Sequence, residues 1–442
     1  MMRQTGRKEL IGSCFRDCVG GDVLLLQCMG LYSMGNIFGD NEPRWYYWEV
    51  IPYSIGLAAV TFAVICDIRN VQHAAQISFM LSIEVAAASF TAILSVFKGY
   101  RIFFRRKELY HILKSCQRRW MLQTTRDAIT QTAIENAKNA RLLRMCYAVA
   151  IMGTLESYNL RPYILYLKFR VSETNDSFDF SQTVYPAYYP FILKSFTQYF
   201  VFTTLEHMSL YFFALWWISA DCLFAQFNTY LAIQFNILAT DIRCIDTTTE
   251  SASPVNAVKI MKGLKKIIRE HVKLFSYVHA VEDWYNPIIF ATILMNGLSL
   301  CSLLYSLQYV FHYLCNGHHS IIAIILIFQI NRSTFLQRIA EHNWKDAIKN
   351  ASHVTAIIIQ TLLYCSYAQR LSDEVNGFRQ AVYGCSWINF NVPTKTLILL
   401  LMIYTEREYT FSAYGLFYLN MRQVTTIFST AMRFFTILRN LT

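Results

Sequence analysis

A helix needs about 20 consecutive apolar residues to cross the hydrocarbon core of a bilayer, and this 442-residue chain supplies runs of that kind repeatedly. Seven stretches reach or approach the length: 45–68, 74–97, 142–165, 199–224, 287–314, 351–370 and 414–438. They predict an all-α fold, a seven-transmembrane-helix bundle forming one membrane domain over residues 1–442. Two further apolar stretches, 320–330 and 397–403, are too short to span and read as buried or interfacial helices. Composition points the same way. Hydrophobic residues make up 54% of the chain and charged residues 16%, where soluble domains carry about 25% charged residues to cover their surface. The deficit fits a surface that faces lipid.

Orientation follows from Lys and Arg, which accumulate in cytoplasmic segments. Of the 40 basic residues, 28 fall in segments on the N-terminal side (1–44, 98–144, 225–285 and 370–413) and 10 on the opposite side. This predicts a cytoplasmic N-terminus and, after seven spans, an extracellular C-terminus. The four N-x-S/T sequons, at Asn175, Asn331, Asn350 and Asn440, all fall on the predicted outer side. Asn175 is the expected glycosylation site. The net charge of +11 could serve nucleic acid, but its placement between apolar runs is that of an orientation signal facing anionic lipid. No nucleic-acid partner is expected.

The long cytoplasmic segments carry helical apolar spacing with basic faces, as in Leu264, Ile267, Ile268, His271, Val272 and Phe275. Such helices are expected to prolong the spans below the membrane. Twelve cysteines are scattered without a repeated C-x-x-C framework, and Cys14 and Cys18, beside the basic N-terminus, are candidates for acylation. His312, Cys315, His318 and His319 have metal-ligand types but no second chelating pair, so an ordinary loop is the reading and no metal or cofactor is expected. No phosphate-binding glycine loop, nucleophile elbow or dinucleotide fingerprint occurs, so the chain does not read as an enzyme.

Charges inside the spans carry more information. Glu84, Glu156, Glu206, Asp221 and Arg433 lie in or beside apolar runs, where an ionisable group is costly and turns toward the bundle interior or water. Glu156 and Glu206 fall in outer half-helices, and Asp221 falls at the cytoplasmic edge of its span. The last span carries hydroxyls at Thr425, Thr426, Ser429, Thr430 and Thr436. Ser429, Arg433, Thr436 and Arg439 recur at helical spacing, a stripe that can tighten helix contacts or face a wet pore.

Three segments then suggest a family. Residues 263–307 contain Ile268, His271 and Leu274 in an amphipathic helix, Glu282 near the membrane, and the pair Leu300-Cys301. Tyr364-Cys365, Ala368, Leu371, Glu374, Ala381, Tyr383 and Trp387 follow the sixth run. The C-terminus carries Gly415, Phe417, Leu419, Ile427, Phe434-Phe435-Thr436 and Leu438. Together these resemble insect odorant receptors, and the short 225–285 segment is similar to the ligand-tuning subunits rather than to their co-receptor. The chain departs from the pattern at Met432-Arg433, where the family has Tyr-Ser, and at 315–350, which reads as an unusual extracellular insert.

The resemblance implies an odour-gated, non-selective cation channel of four subunits, with this chain in a heterotetramer with the odorant co-receptor. It also implies that no G protein is required, and a place in the plasma membrane of an olfactory sensory neuron. It implies spans 1–5 over 45–314, span 6 over 351–370, a cytoplasmic anchor helix over 387–406 where subunits meet, and a pore helix over 414–438. A small volatile odorant would bind in the outer half, in a cavity lined by Met80, Glu84, Gly153, Glu156, Phe202, Glu206, Ile357 and Gln360. A gustatory receptor-type channel and, further off, a multi-span transporter stay open as alternatives.

Overall fold

The computed structural model describes residues 2–39, 45, 47–77, 79–123, 127–171, 178, 180, 183–184, 192–246, 254–316 and 344–441. Eleven α-helices run through them: α1 (Met2–Cys28), α2 (Val50–Ile77), α3 (Phe79–Phe104), α4 (Arg106–Gln123), α5 (Asp127–Asn159), α6 (Arg161–Val171), α7 (Phe196–Asp246), α8 (Pro254–Asn316), α9 (Trp344–Tyr383), α10 (Val392–Tyr404) and α11 (Met421–Leu441). Among the described residues, the segments Tyr47–Ile77, Phe196–Ile245 and Ala257–Leu304 are long and apolar enough to cross a membrane.

Helix α7 is the axis of the bundle. Every residue from Trp216 to Phe235 is buried, and α1, α2, α3, α5, α8 and α9 all pack on it. A helix buried on all sides normally reads as apolar all round. This one carries Ser219, Asp221, Gln226, Asn228, Thr229 and Gln234 inside that stretch, so the core is built around polar groups that need partners. The spans and the cytoplasmic helices expected below them are continuous. α7 runs for 51 residues, α8 for 63 and α9 for 40.

Two expected spans change shape. The run 142–165 is divided at Leu160 between α5 and α6. Pro162, in the first turn of α6, has no N–H to donate to the preceding turn, in keeping with the interruption there. The run 414–438 begins as helix only at Met421, because Ser412–Ala413 and Phe417–Tyr418 pair as a two-stranded antiparallel ribbon. Tyr414 (φ 54°) and Gly415 (φ 67°) form its turn in the left-handed region, a conformation no helix continues through. The N-terminal segment 1–44 is also more structured than its composition suggests. α1 sends Phe15, Cys18, Val19, Val23 and Leu26 into the core. Burial of Cys18 at 4% exposure removes it as an accessible acylation target.

Close helix contacts depend on two glycines. A Cβ on Gly99 of α3 would overlap the Trp216 ring, and one on Gly56 of α2 would overlap Phe212. Gly153 of α5 faces open space. Gly99→Ala is therefore expected to destabilise the bundle by about 1–3 kcal/mol, the usual cost of overpacking. Gly153→Ala should leave stability level or slightly raised, since alanine is the better helix former. Thermal melting of the detergent-solubilised protein, followed by size-exclusion chromatography, checks the pair. Equal melting of both variants would mean α3 can shift away from α7 at little cost.

Candidate functional site

The centre of the bundle holds a charged network that links five helices. Asp221 of α7 and Lys98 of α3 form an ion pair of 2.6 Å with both side chains fully buried. Tyr364 of α9 donates to the same oxygen, Oδ1, at 2.7 Å. Tyr147 of α5 and Gln360 of α9 donate to Oδ2 at 2.6 and 2.7 Å. Trp217 Nε1 donates to the Tyr147 hydroxyl at 3.0 Å, and Asn296 Nδ2 of α8 donates to Gln360 Oε1 at 2.9 Å. Lys98 Nζ also lies 4.2 Å from the centre of a Trp217 ring, within cation–π range. A carboxylate has about four acceptor positions, and here four donors occupy them. Two ions taken out of water are tolerated only with such complete pairing.

A second buried pair lies at α1. Arg144 of α5 contacts Asp22 at 3.2 Å and donates to the Cys18 carbonyl at 2.9 Å. Burial pushes the Asp22 carboxyl above its ordinary value, while Arg144 pulls the other way. The two sites tie α3, α5, α8, α9 and α1 to each other or to the central helix α7.

The expected ligand residues are distributed over four helices. Met80 and Glu84 lie on α3, with side chains outside the described residues. Gly153 is exposed on α5, and Glu156, one turn later, is half-buried beside Tyr211 of α7. Phe202 and Glu206 sit one turn apart on α7 and are both buried. Glu206 accepts the Val184 N–H at 2.9 Å, so the segment between α6 and α7 reaches into the bundle beside the start of α7. Tyr166 of α6, Phe178, Phe180, Phe196 and Tyr199 gather there in edge-on and tilted contacts. Ile357 of α9 packs with Ala87 and Leu303 in a small separate cluster. Gln360, fully buried, belongs to the Asp221 network. Asn175 and most of the 315–350 insert, including His318 and His319, lie outside the described residues.

Sequence reasoning singled out Asp221 and Gln360 but not Lys98, Tyr147 or Asn296 as their partners. The available signal was complementarity. Lys98 and Asp221 are opposite charges at the edges of two apolar runs, and buried charges have to be paired.

The last helix has two unlike faces. Val424 and Ala431 are buried against α8 and α9, where Cys301 Sγ approaches the Ala431 carbonyl at 3.7 Å. Thr425, Thr426, Ser429, Thr430, Arg433 and Thr436 are exposed. Arg439 lies in the last turns of α11, its side chain outside the described residues. Helix α10 begins at an Asn391 cap that accepts the Thr394 N–H. It buries Ile398 and Leu401 and exposes Val392, Leu399, Leu400 and Ile403. Between α8, α9 and the start of α11 lies a narrow, mostly apolar crevice, bordered by Asn296 and Tyr364 of the network on one side and by Leu419 and Ile427 on the other. Among the described residues, no group of three or more His, Cys, Asp or Glu side chains could hold a metal ion.

This architecture is that of a multi-span helical receptor, and comparison with known proteins places it. The family model described as 7tm Odorant receptor matches residues 78–330 and 316–432. The chain belongs to that family, a family of membrane receptors rather than enzymes. Among Drosophila melanogaster proteins it is 21% identical to Odorant receptor 47a over 416 residues, 92% of this chain and 95% of that one. It is 21% identical to Odorant receptor 13a and 22% to Odorant receptor 67b, in regions that span 48% and 60% of those proteins. The solved insect olfactory receptor OR5 from Machilis hrabei shares the fold, with a TM-score of 0.72, 11% identity, and 97% of this chain and 99% of that chain covered. Its complex with eugenol superposes with a TM-score of 0.71 at 12% identity, covering 97% and 98%.

Proposed function

We propose that this chain is the ligand-tuning subunit of an odour-gated, non-selective cation channel. In this reading seven spans place the N-terminus in the cytoplasm and the C-terminus outside. The chain joins the odorant co-receptor in a heterotetramer, in the plasma membrane of an olfactory sensory neuron. One observation carries the reading beyond family membership. The exposed face of α11 carries Thr425, Ser429, Thr436 and Arg433 beside Met432 and Phe434, and an arginine facing hydrocarbon is costly. That face has to meet water or other subunits, and a pore built from α11 provides both. The exposed apolar side of α10 supports a subunit contact below the membrane.

The small volatile ligand binds in the outer half, among Met80, Glu84, Gly153, Glu156, Phe202, Glu206, Ile357 and Gln360. Support comes from the buried Phe202 and Glu206, one turn apart on α7, and from the eugenol-bound relative. Binding opens the pore by favouring the open state over the closed one.

Co-expression with the co-receptor, recording current against an odour panel, tests the function. Odour-evoked cation current that requires both chains is the expected result, and silence across a broad panel with both chains at the surface counts against it. For the cavity, Glu156→Ala and Phe202→Ala are expected to shift odour dose–response curves by about tenfold, the effect of losing a good contact of about 1.4 kcal/mol, with surface expression retained. Unchanged curves for both would move the cavity elsewhere.

A further inference from the structure

We propose an anionic-phospholipid site at the elbow between α3 and α4, where Arg106 holds the headgroup phosphate. The leaflet it faces rests on the orientation proposed above, but the site itself does not. Contacts set its depth. Trp45, the first residue of the first apolar run, lies 5.7 Å from the Arg106 guanidinium, within cation–π range. Tyr53 of α2 stacks on Phe103 of α3 at 3.8 Å. Arg101, one turn before the elbow, donates to the carbonyls of Asp283 and Trp284 of α8 at 3.2 and 3.3 Å, just ahead of the run that starts at 287. The elbow therefore sits at the common end of three apolar runs, the depth of a headgroup layer. Exposed aromatics mark the same level. Tyr47 is 95% exposed, and Trp48, Tyr100 and Phe104 are exposed too. Tyr and Trp collect at membrane–water interfaces.

The charges at the elbow are unevenly matched. Arg105 pairs with Glu108, the acidic residue of the first turn of α4. Arg106 and Lys107 have no carboxylate within ion-pair distance among the described residues. Arg106 is nevertheless held in place. Its guanidinium lies over the Phe103 ring at 4.4 Å, and Nη1 donates to the Phe103 carbonyl at 2.9 Å. Its Nε is buried with no hydrogen-bond partner among the described residues. A guanidinium fixed in this way has little freedom left to lose, and its fork of N–H groups matches a phosphate. Lys107, exposed next to it, adds a second positive charge. The two cations need an anion, and the exposed Trp48 and Phe104 need an apolar neighbour. A phospholipid brings a phosphate and acyl chains to one place, which a free anion does not. A zwitterionic headgroup would also bring an ammonium toward Lys107, so headgroups with a net negative charge are preferred.

Photolabelling the full-length protein tests this, in phosphatidylcholine nanodiscs doped with a phosphatidylglycerol that carries a diazirine on its headgroup. The expected result is label concentrated in peptides covering 47–55 and 100–110. Unlabelled phosphatidylglycerol added to the host lipid should remove that label, and phosphatidylethanolamine, which is zwitterionic, should not. Arg106→Gln should lower labelling of these peptides about tenfold, as the loss of a charge-assisted hydrogen bond requires. Lys107→Gln should lower it about fivefold, the effect of one basic residue at an anionic surface, and its exposed position keeps the test valid if Arg106→Gln does not fold. Label spread evenly over the lipid-facing surface, removal by phosphatidylethanolamine as readily as by phosphatidylglycerol, removal by inorganic phosphate alone, or unchanged labelling in the folded variants overturns the site. Specific labelling of a protein that passes no odour-evoked current, or whose N-terminus lies outside the cell, supports the site and counts against the channel reading or the orientation instead.

Discussion

Asp221→Ala is expected to leave little folded receptor at the cell surface. The substitution strands Lys98, whose side chain is fully buried, and deprives Tyr147, Tyr364 and Gln360 of their acceptors. Removing one partner of a buried ion pair costs about 3–5 kcal/mol, because the other charge is left without compensation. Whole domains are stable by only about 5–15 kcal/mol, so the loss is a large part of the margin. Asp221→Asn should fall in between. It keeps one acceptor oxygen, but its amide nitrogen must face two of the four donors. The double replacement Lys98→Met with Asp221→Leu should recover more folded protein than either single change, because apolar groups of similar volume need no partners. Surface biotinylation normalised to total protein measures all five variants. Wild-type levels for Asp221→Ala would mean that water enters the centre of the bundle and replaces the carboxylate.

The network also shows where reading the sequence stops. The apolar runs located helices, since α7, α8 and α9 contain the runs 199–224, 287–314 and 351–370, and among the described residues Tyr47–Ile77, Phe196–Ile245 and Ala257–Leu304 are long and apolar enough to cross a membrane. Basic residues were a poorer guide. Lys98, Lys114, Arg119 and Arg144 all belong to a segment that reads as a cytoplasmic positive charge, yet all four side chains are buried. Lys98 meets Asp221, Arg144 meets Asp22, Arg119 contacts Glu270 at 2.7 Å, and Lys114 donates to the Ile37 carbonyl. Charge counting treats such residues as facing water, and only tertiary pairing tells them apart. Helix α1 escaped for a related reason. Its buried residues Phe15, Cys18, Val19, Val23 and Leu26 recur at helical spacing but are interleaved with Arg16, Asp17 and Asp22, so no continuous apolar run announces it. The ribbon before α11 was hidden because Tyr414 and Phe417 are as apolar as the helix that follows, and only the positive φ of Tyr414 and Gly415 separates them. The candidate ligand residues show the same limit. Gln360 was legible as a polar residue in an apolar helix, but its engagement with Asp221 was not.

Homomers of this chain are expected to conduct cations poorly, and Arg433→Ser is expected to raise cation current several-fold in the mixed channel. Arg433 is exposed on α11, on the side shared by Ser429 and Thr436 and away from the buried Val424 and Ala431. In a four-fold assembly with that side toward the axis, four arginines surround one path. Like charges about 8 Å apart are poorly screened at physiological salt. Each pair costs between about 0.5 kcal/mol in water and about 2 kcal/mol at an effective dielectric near 20, and a permeating cation meets the same field. Co-receptor subunits without arginine at this position would dilute the charge to one or two copies, which can turn toward lipid headgroups. Serine keeps the hydroxyl character of the face and removes the charge. Single-channel recording of the mixed assembly, with wild-type and Arg433→Ser subunits matched for surface expression, gives the comparison directly. Robust cation current from wild-type homomers, or identical conductance with and without Arg433, would put this residue in a packed subunit contact and turn a different side of α11 toward the pore.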